Sequence, residues 1–167
     1  MASEQEIAQR FWKSLRSDRV VMLGLPGVEG GHSHPMTAQV GTDEGPGLLW
    51  FFSSRDTDFV RHLGSGGHAV AHFAAKGHEL FASLDGILVP YNDRDMIERL
   101  WNPYVAAWYK EGKTDPALQL LRLEPRRLQV WLNEGSLLAG IKQMFGADPK
   151  KDYAGKVVDL DLPPRIA

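Results

Sequence analysis

A mainly β, α+β fold is predicted for this chain: five to seven strands, mostly antiparallel, in a small closed or split β-barrel with short flanking helices. Three observations carry that expectation. Apolar segments of strand length recur along the chain, and some alternate in the way a half-buried strand does. Turn formers join them at hairpin distances, too short for the helical crossovers of a doubly wound parallel sheet. A small sheet of this kind also has two raw edges unless it curls toward closure. At 167 residues the chain suits one domain, and 1–167 reads as such, with no repeat, low-complexity tract or dividing linker.

In chain order, Ser3 is a good N-cap, and Ile7, Phe11 and Leu15 recur at helical spacing, predicting an amphipathic helical arm over about 4–16. RVVMLGL (19–25) suits a buried strand, and Pro26-Gly27 and Gly30-Gly31 mark the connection after it. In HPMTAQVG (34–41), Met36, Ala38 and Val40 alternate with Thr37 and Gln39. A turn-rich TDEGPG (42–47) leads to LLWFFSS (48–54), so these two strands are expected to form a hairpin. Asp56 or Thr57 can cap a short helix to about Leu63, ended by the glycines at 64, 66 and 67.

HAVAHFA (68–74) and ELFASLDGILV (79–89) are further strands, with a bulge expected at Gly86. Asp93 opens a helix to about Leu100, and Asn102-Pro103 starts another. The last long strands are read over 118–123 and 126–132, interrupted at Glu124-Pro125. Ser136 begins a helical extension over about 136–145, and the lysines at 150–151 with the prolines at 163–164 suggest a loose end.

Composition excludes several functions. With 19 Lys+Arg against 21 Asp+Glu, the net charge of −2 leaves no basic excess for nucleic acid. Cysteine is absent, which removes disulfides, thiolate metal sites and cysteine nucleophiles. No signal-peptide pattern or membrane-length apolar run occurs, so a cytoplasmic protein without membrane partners is expected.

Six histidines raise the question of a metal, but they are spread over separate elements without an H-E-x-x-H spacing. They read as half-exposed sheet residues, and no metal site is assigned. Gly64-Ser65-Gly66-Gly67 is out of register for a nucleophile elbow and reads as a helix C-cap. No G-x-G-x-x-G joins a strand to a helix. The informative stretch is WFFSSRDTDFVRHL (50–63), an apolar strand running into hydroxyls and then a helix start. On chemistry alone the stretch reads first as a strand, a capped turn and a helix; the alternative is a hydroxyl cluster that holds a phosphate while its strand lies along a flat ring.

The order of HSHPMTAQ (32–39), LLWFFSSRDTD (48–58), HELFASLDGILV (78–89), RLWNPYVAAWYKEGKTDPALQLLRLEP (99–125) and QVWLNEGSLLAGIK (129–142) resembles the FMN-binding split-barrel superfamily of pyridoxamine 5′-phosphate oxidase, and most closely its general stress protein 26 branch. The resemblance implies a six- to seven-stranded antiparallel split β-barrel, a homodimer with flavin sites between its subunits, FMN as cofactor with FAD the alternative, and redox chemistry on an unidentified small molecule. It places His34, Pro35 and Met36 beside the flavin, and Trp50, Phe51, Phe52 and Ser53 along the isoalloxazine and ribityl chain. Ser54 and Thr57 reach toward the phosphate. Trp131 falls where the partner subunit supplies an aromatic, either to the site or to the dimer contact. Trp101, Trp108 and Tyr109 are pocket-mouth candidates for which core packing is the expected role.

The chain departs from the oxidase pattern at His34, Asp58 and Phe59, where that pattern has basic residues; Arg55 and Arg61 are the nearby cations. Oxidation of pyridoxamine phosphate itself is not implied, because the oxidase's basic substrate-phosphate site is not recognisable. Two alternatives to a redox enzyme stay open: a non-catalytic flavin-binding stress-response protein, and a dimeric barrel holding another ligand such as haem.

Overall fold

The computed structural model describes residues 2–40, 47–133 and 157–163. Its first helix, α1 (Glu4–Asp18), opens on a reciprocal capping box in which Ser3 accepts from the Glu6 N–H and Glu6 accepts from the Ser3 N–H. The buried face is Ile7, Phe11, Trp12 and Leu15, as the spacing predicts. Phe11 meets Phe73 edge-on, with ring centres 6.0 Å apart, which seats the helix on the sheet.

Among the described residues eight strands follow: β1 (Val20–Gly24), β2 (Ser33–Thr37), β3 (Gln39–Val40), β4 (Leu49–Ser54), β5 (Gly67–Ala74), β6 (Leu80–Pro90), β7 (Leu118–Leu132) and β8 (Val157–Asp161). They form one antiparallel sheet in the order β2-β1-β5-β6-β7-β4-β3, with β8 added alongside β7. Ala38 alone separates β2 from β3, yet these strands stand at opposite ends of that order. The sheet must therefore curl until its ends approach. Closure stops short: among the described residues β3 pairs with β4 at Gln39–Trp50 and Val40–Leu49, and no ladder joins β2 to β4. This is the expected split barrel.

Four details differ from the sequence reading. The strand expected over 34–41 breaks at Ala38, whose N–H donates to the Arg19 carbonyl at 2.7 Å. Its first half pairs with β1, so among the described residues the expected hairpin with β4 is formed by Gln39 and Val40. The interruption expected at Glu124-Pro125 is instead one continuous strand, β7. Asp85 faces Arg127 and Gly86 faces Pro125, so the extra residue of the bulge, Arg126, belongs to β7 and not to the glycine's strand. Finally, β8 replaces part of the expected loose end. Arg127 grips Asp159 through two parallel hydrogen bonds, and Gln129 adds a third, which holds the Asp159 carboxyl well below its ordinary range. The helix expected over 136–145, the lysines at 150–151 and residues 41–46 of the first connection lie outside the described residues.

Three short helices join them among the described residues: α2 (Asp58–Leu63), α3 (Arg94–Leu100) and α4 (Pro103–Ala106), capped by Thr57, Asp93 and Asn102 respectively. Burial divides into two cores. One fills the barrel and includes Phe51, Leu84, Leu121 and Leu128. The other lies between the opposite face of β4 and β7 and the helices, joining Trp50, Leu118 and Leu120 to Ile97, Val105 and Tyr109.

Candidate functional site

Strand alternation decides what β4 can offer. Leu49 and Phe51 point into the barrel, where Phe51 is fully buried. Trp50 and Phe52 point the other way, under the helices: Phe52 lies 6.1 Å from Trp101 and 6.4 Å from Tyr109 between ring centres. Phe51 therefore cannot present its ring beside Phe52, and any part it takes at a ligand is through its backbone.

Backbone partners then define an open edge. Leu120, opposite Phe52, accepts from the Tyr91 N–H and donates its own N–H to Asn92 Oδ1 at 2.7 Å. Leu118, opposite Ser54, donates to Asp115 and accepts from the Asn92 side chain. Both residues of β7 thus turn away from β4. By the antiparallel alternation, Phe52 and Ser54 turn away from β7 and toward the seam where β2 is not paired. The Phe52 N–H and C=O and the Ser54 N–H line that seam. On its far side stand His34 and Met36, with Met36 packed against the barrel core. Pro35 sits harmlessly there because β2 is the end strand, where a missing donor breaks no second ladder.

At the end of β4 the hydroxyls differ. Ser54 Oγ accepts from the Asp56 N–H at 3.3 Å and keeps its own proton to donate. Thr57 Oγ1 donates to the Ser54 carbonyl at 2.8 Å and accepts from the Val60 N–H at 3.2 Å, so its proton is already spent on capping. Asp58 is balanced by Arg61 at 2.9 Å. Ser53 is held through its carbonyl, which accepts from the Tyr109 hydroxyl at 2.7 Å. Burial, with the Asp115 carboxylate nearby, pushes the Tyr109 phenol up to about 12.

The other expected site residues are placed elsewhere. Trp131 faces Phe81 on the outer surface of the sheet and lines a shallow groove with Met22, His72 and Gln129. Pro35, Met22, His72, Ser83 and Gln129 form one transverse row of paired positions across the same sheet. Trp101 and Tyr109 are in the second core, but Trp108 is 84% exposed, against the expected core packing. The reason is that α4 ends at Ala106, so residues 104 and 108 share no long helix face. Among the described residues, His, Asp and Glu form no cluster of three suited to a metal ion, and no helix is long and apolar enough to cross a membrane. Asn92 and Glu29 were missed in the sequence, where each is an isolated polar residue in or beside a loop.

An antiparallel split barrel with a donor-lined open seam defines the class. The profile of the family described as pyridoxamine 5′-phosphate oxidase like matches residues 6–153, and the chain belongs to that family. Among solved structures, it is 57% identical to the general stress FMN/FAD binding protein of Xanthomonas citri, covering 81% of this chain and 95% of that one, with a TM-score of 0.74. A candidate general stress family protein from Xanthomonas campestris pv. campestris is 54% identical over 84% of this chain and 96% of that one, with a TM-score of 0.77. A candidate general stress protein 26 from Jannaschia sp. CCS1 is 26% identical over 96% and 100%, with a TM-score of 0.75. No curated protein matches.

Proposed function

We propose that this chain is a flavin-binding protein, taking FMN with FAD the alternative, that acts as a homodimer in redox chemistry on a small molecule. The observation that carries the reading is the edge of β4, where Phe52 and Ser54 direct main-chain donors and an acceptor into the seam. That is the complement needed by the polar edge of a flat heteroaromatic ring. The relative described as FMN/FAD binding, 57% identical, supports it. When bound, a flavin would supply the hydride or electron transfer. The protein's own groups do the holding: the Phe52 and Ser54 backbone at the ring edge, His34 and Met36 across the seam, and the Ser54 hydroxyl toward the phosphate. The donor set fits, since the neighbouring Asp58 carboxylate is balanced by Arg61.

Titration of the purified protein with FMN, followed by flavin fluorescence, tests the reading; failure to bind FMN or FAD would end it. Turnover of NAD(P)H by the flavin-loaded protein separates a redox enzyme from a non-catalytic flavin binder. Ser54→Ala is expected to weaken FMN by roughly tenfold to a hundredfold while leaving riboflavin unchanged, since a hydrogen bond to a charged group contributes about 1.5–3 kcal/mol. Thr57→Ala should act on the fold instead. Loss of the α2 cap costs about 1 kcal/mol, with no preference between the two flavins. Equal loss of both flavins in Ser54→Ala would remove Ser54 from the phosphate.

The homodimer is read onto the outer sheet face, where Val20, Met22 and Phe81 are exposed beside Trp131. Phe81→Glu should then convert a dimer to a monomer in light scattering. A variant that stays dimeric would move the interface elsewhere.

A further inference from the structure

Glu29 lies in the β1–β2 connection, inside a short 3-10 turn (Glu29–Gly31), with φ at +51°. A residue with a side chain holds that left-handed conformation only where its surroundings favour it. Here the surroundings are two imidazoles. Glu29 Oε2 is 2.9 Å from His34 Nε2, and Oε1 is 3.4 Å from His62 Nδ1, while the Glu29 side chain is only 18% exposed. The two histidines come from opposite sides of the seam, His34 from β2 and His62 from α2, which follows directly on β4. The Phe59 ring packs edge-on against His34 with centres 5.4 Å apart. Among the described residues, His34 and His62 are the charged or titratable groups that act on Glu29, and they hold its carboxyl below the ordinary range.

We propose that Glu29 is a positioning residue of the seam: one carboxylate ties α2 to β2 where no strand ladder does, and fixes His34 and His62 in opposite tautomers. An ionised carboxylate can only accept. Each histidine must therefore turn an N–H toward it, His34 from Nε2 and His62 from Nδ1. With both rings neutral, that leaves Nδ1 of His34 and Nε2 of His62 as the free acceptors. The bearing of this on a bound flavin, which sets His34 beside the ring, rests on the function proposed above. The tie itself does not.

Long-range proton–nitrogen spectra of histidine-labelled full-length protein, without flavin and above the usual imidazole titration range, read the tautomers directly. The expected result is Nε2–H at His34 and Nδ1–H at His62. In Glu29→Ala both preferences are lost and both rings show tautomer mixtures. In Glu29→Gln the single acceptor oxygen serves only one ring, so one preference is lost. A parent spectrum with His62 as Nε2–H would overturn the proposal even if Glu29→Ala does not fold. So would a folded Glu29→Ala that keeps both tautomers. Tautomers as expected in a protein that binds no flavin would remove the flavin reading and leave the role of Glu29 intact.

Discussion

Gly86→Ala is expected to destabilise the protein by about 3 kcal/mol or more, toward the top of the usual range for overpacking. A Cβ at this position would stand 2.1 Å from the Glu124 carbonyl oxygen, 2.8 Å from its carbon and 3.0 Å from Pro125 Cα. All three neighbours are backbone, so no side chain can rotate away. Relief requires β6 and β7 to part at their bulge, and these strands are paired along nearly the whole of β6. For a protein of this size the melting midpoint should fall by roughly 6–12 °C. A Gly86→Ala variant melting within about 2 °C of the parent would mean that the strands spread freely there.

Phe51→Ala is expected to cost about 3–5 kcal/mol, through lost burial and the cavity left behind. Its ring is fully enclosed in the barrel core, one residue out of phase with the face of β4 that carries Trp50 and Phe52. The melting midpoint should drop by roughly 6–20 °C. The fraction that remains folded should bind FMN as the parent does, because the ring faces away from the helices and the backbone of Phe52 and Ser54 is unchanged. Parental stability combined with lost flavin affinity would instead put Phe51 against the ligand. Phe52→Ala is the matched control: its ring is only half-buried, so the stability loss should be smaller.

Residues 48–57 show how far the candidate site could be read in advance. An apolar run ending in hydroxyls is visible in LWFFSS and the following turn, and Thr57 sits where a cap belongs. Trp50, Phe51 and Phe52, which the resemblance groups along one ring, fall on two faces because side chains reverse at each step of a strand. Thr57 reads as a phosphate donor in sequence because a hydroxyl's proton is invisible there; in the fold it is committed to the Ser54 carbonyl. Trp131 could not be assigned to a face until its register with Phe81 was known. Asn92 and Glu29 gave no signal, since their partners are 26 or more residues away for Asn92 and lie in two other elements for Glu29.

What the sequence alone determined is local. Ser3, Thr57, Asp93 and Asn102 each cap the helix expected of them, because a cap is settled by a side chain and an N–H two or three residues ahead. The strand character of 48–54, 68–74 and 79–89 followed from apolar content and periodicity in the same way. Only the tertiary structure decided that 33–40 is shared between two ends of the sheet, that 118–132 is one strand, and that β2 and β4 leave a seam. Those outcomes depend on which distant backbone group satisfies each N–H and C=O. A chain read one neighbourhood at a time holds no record of that choice.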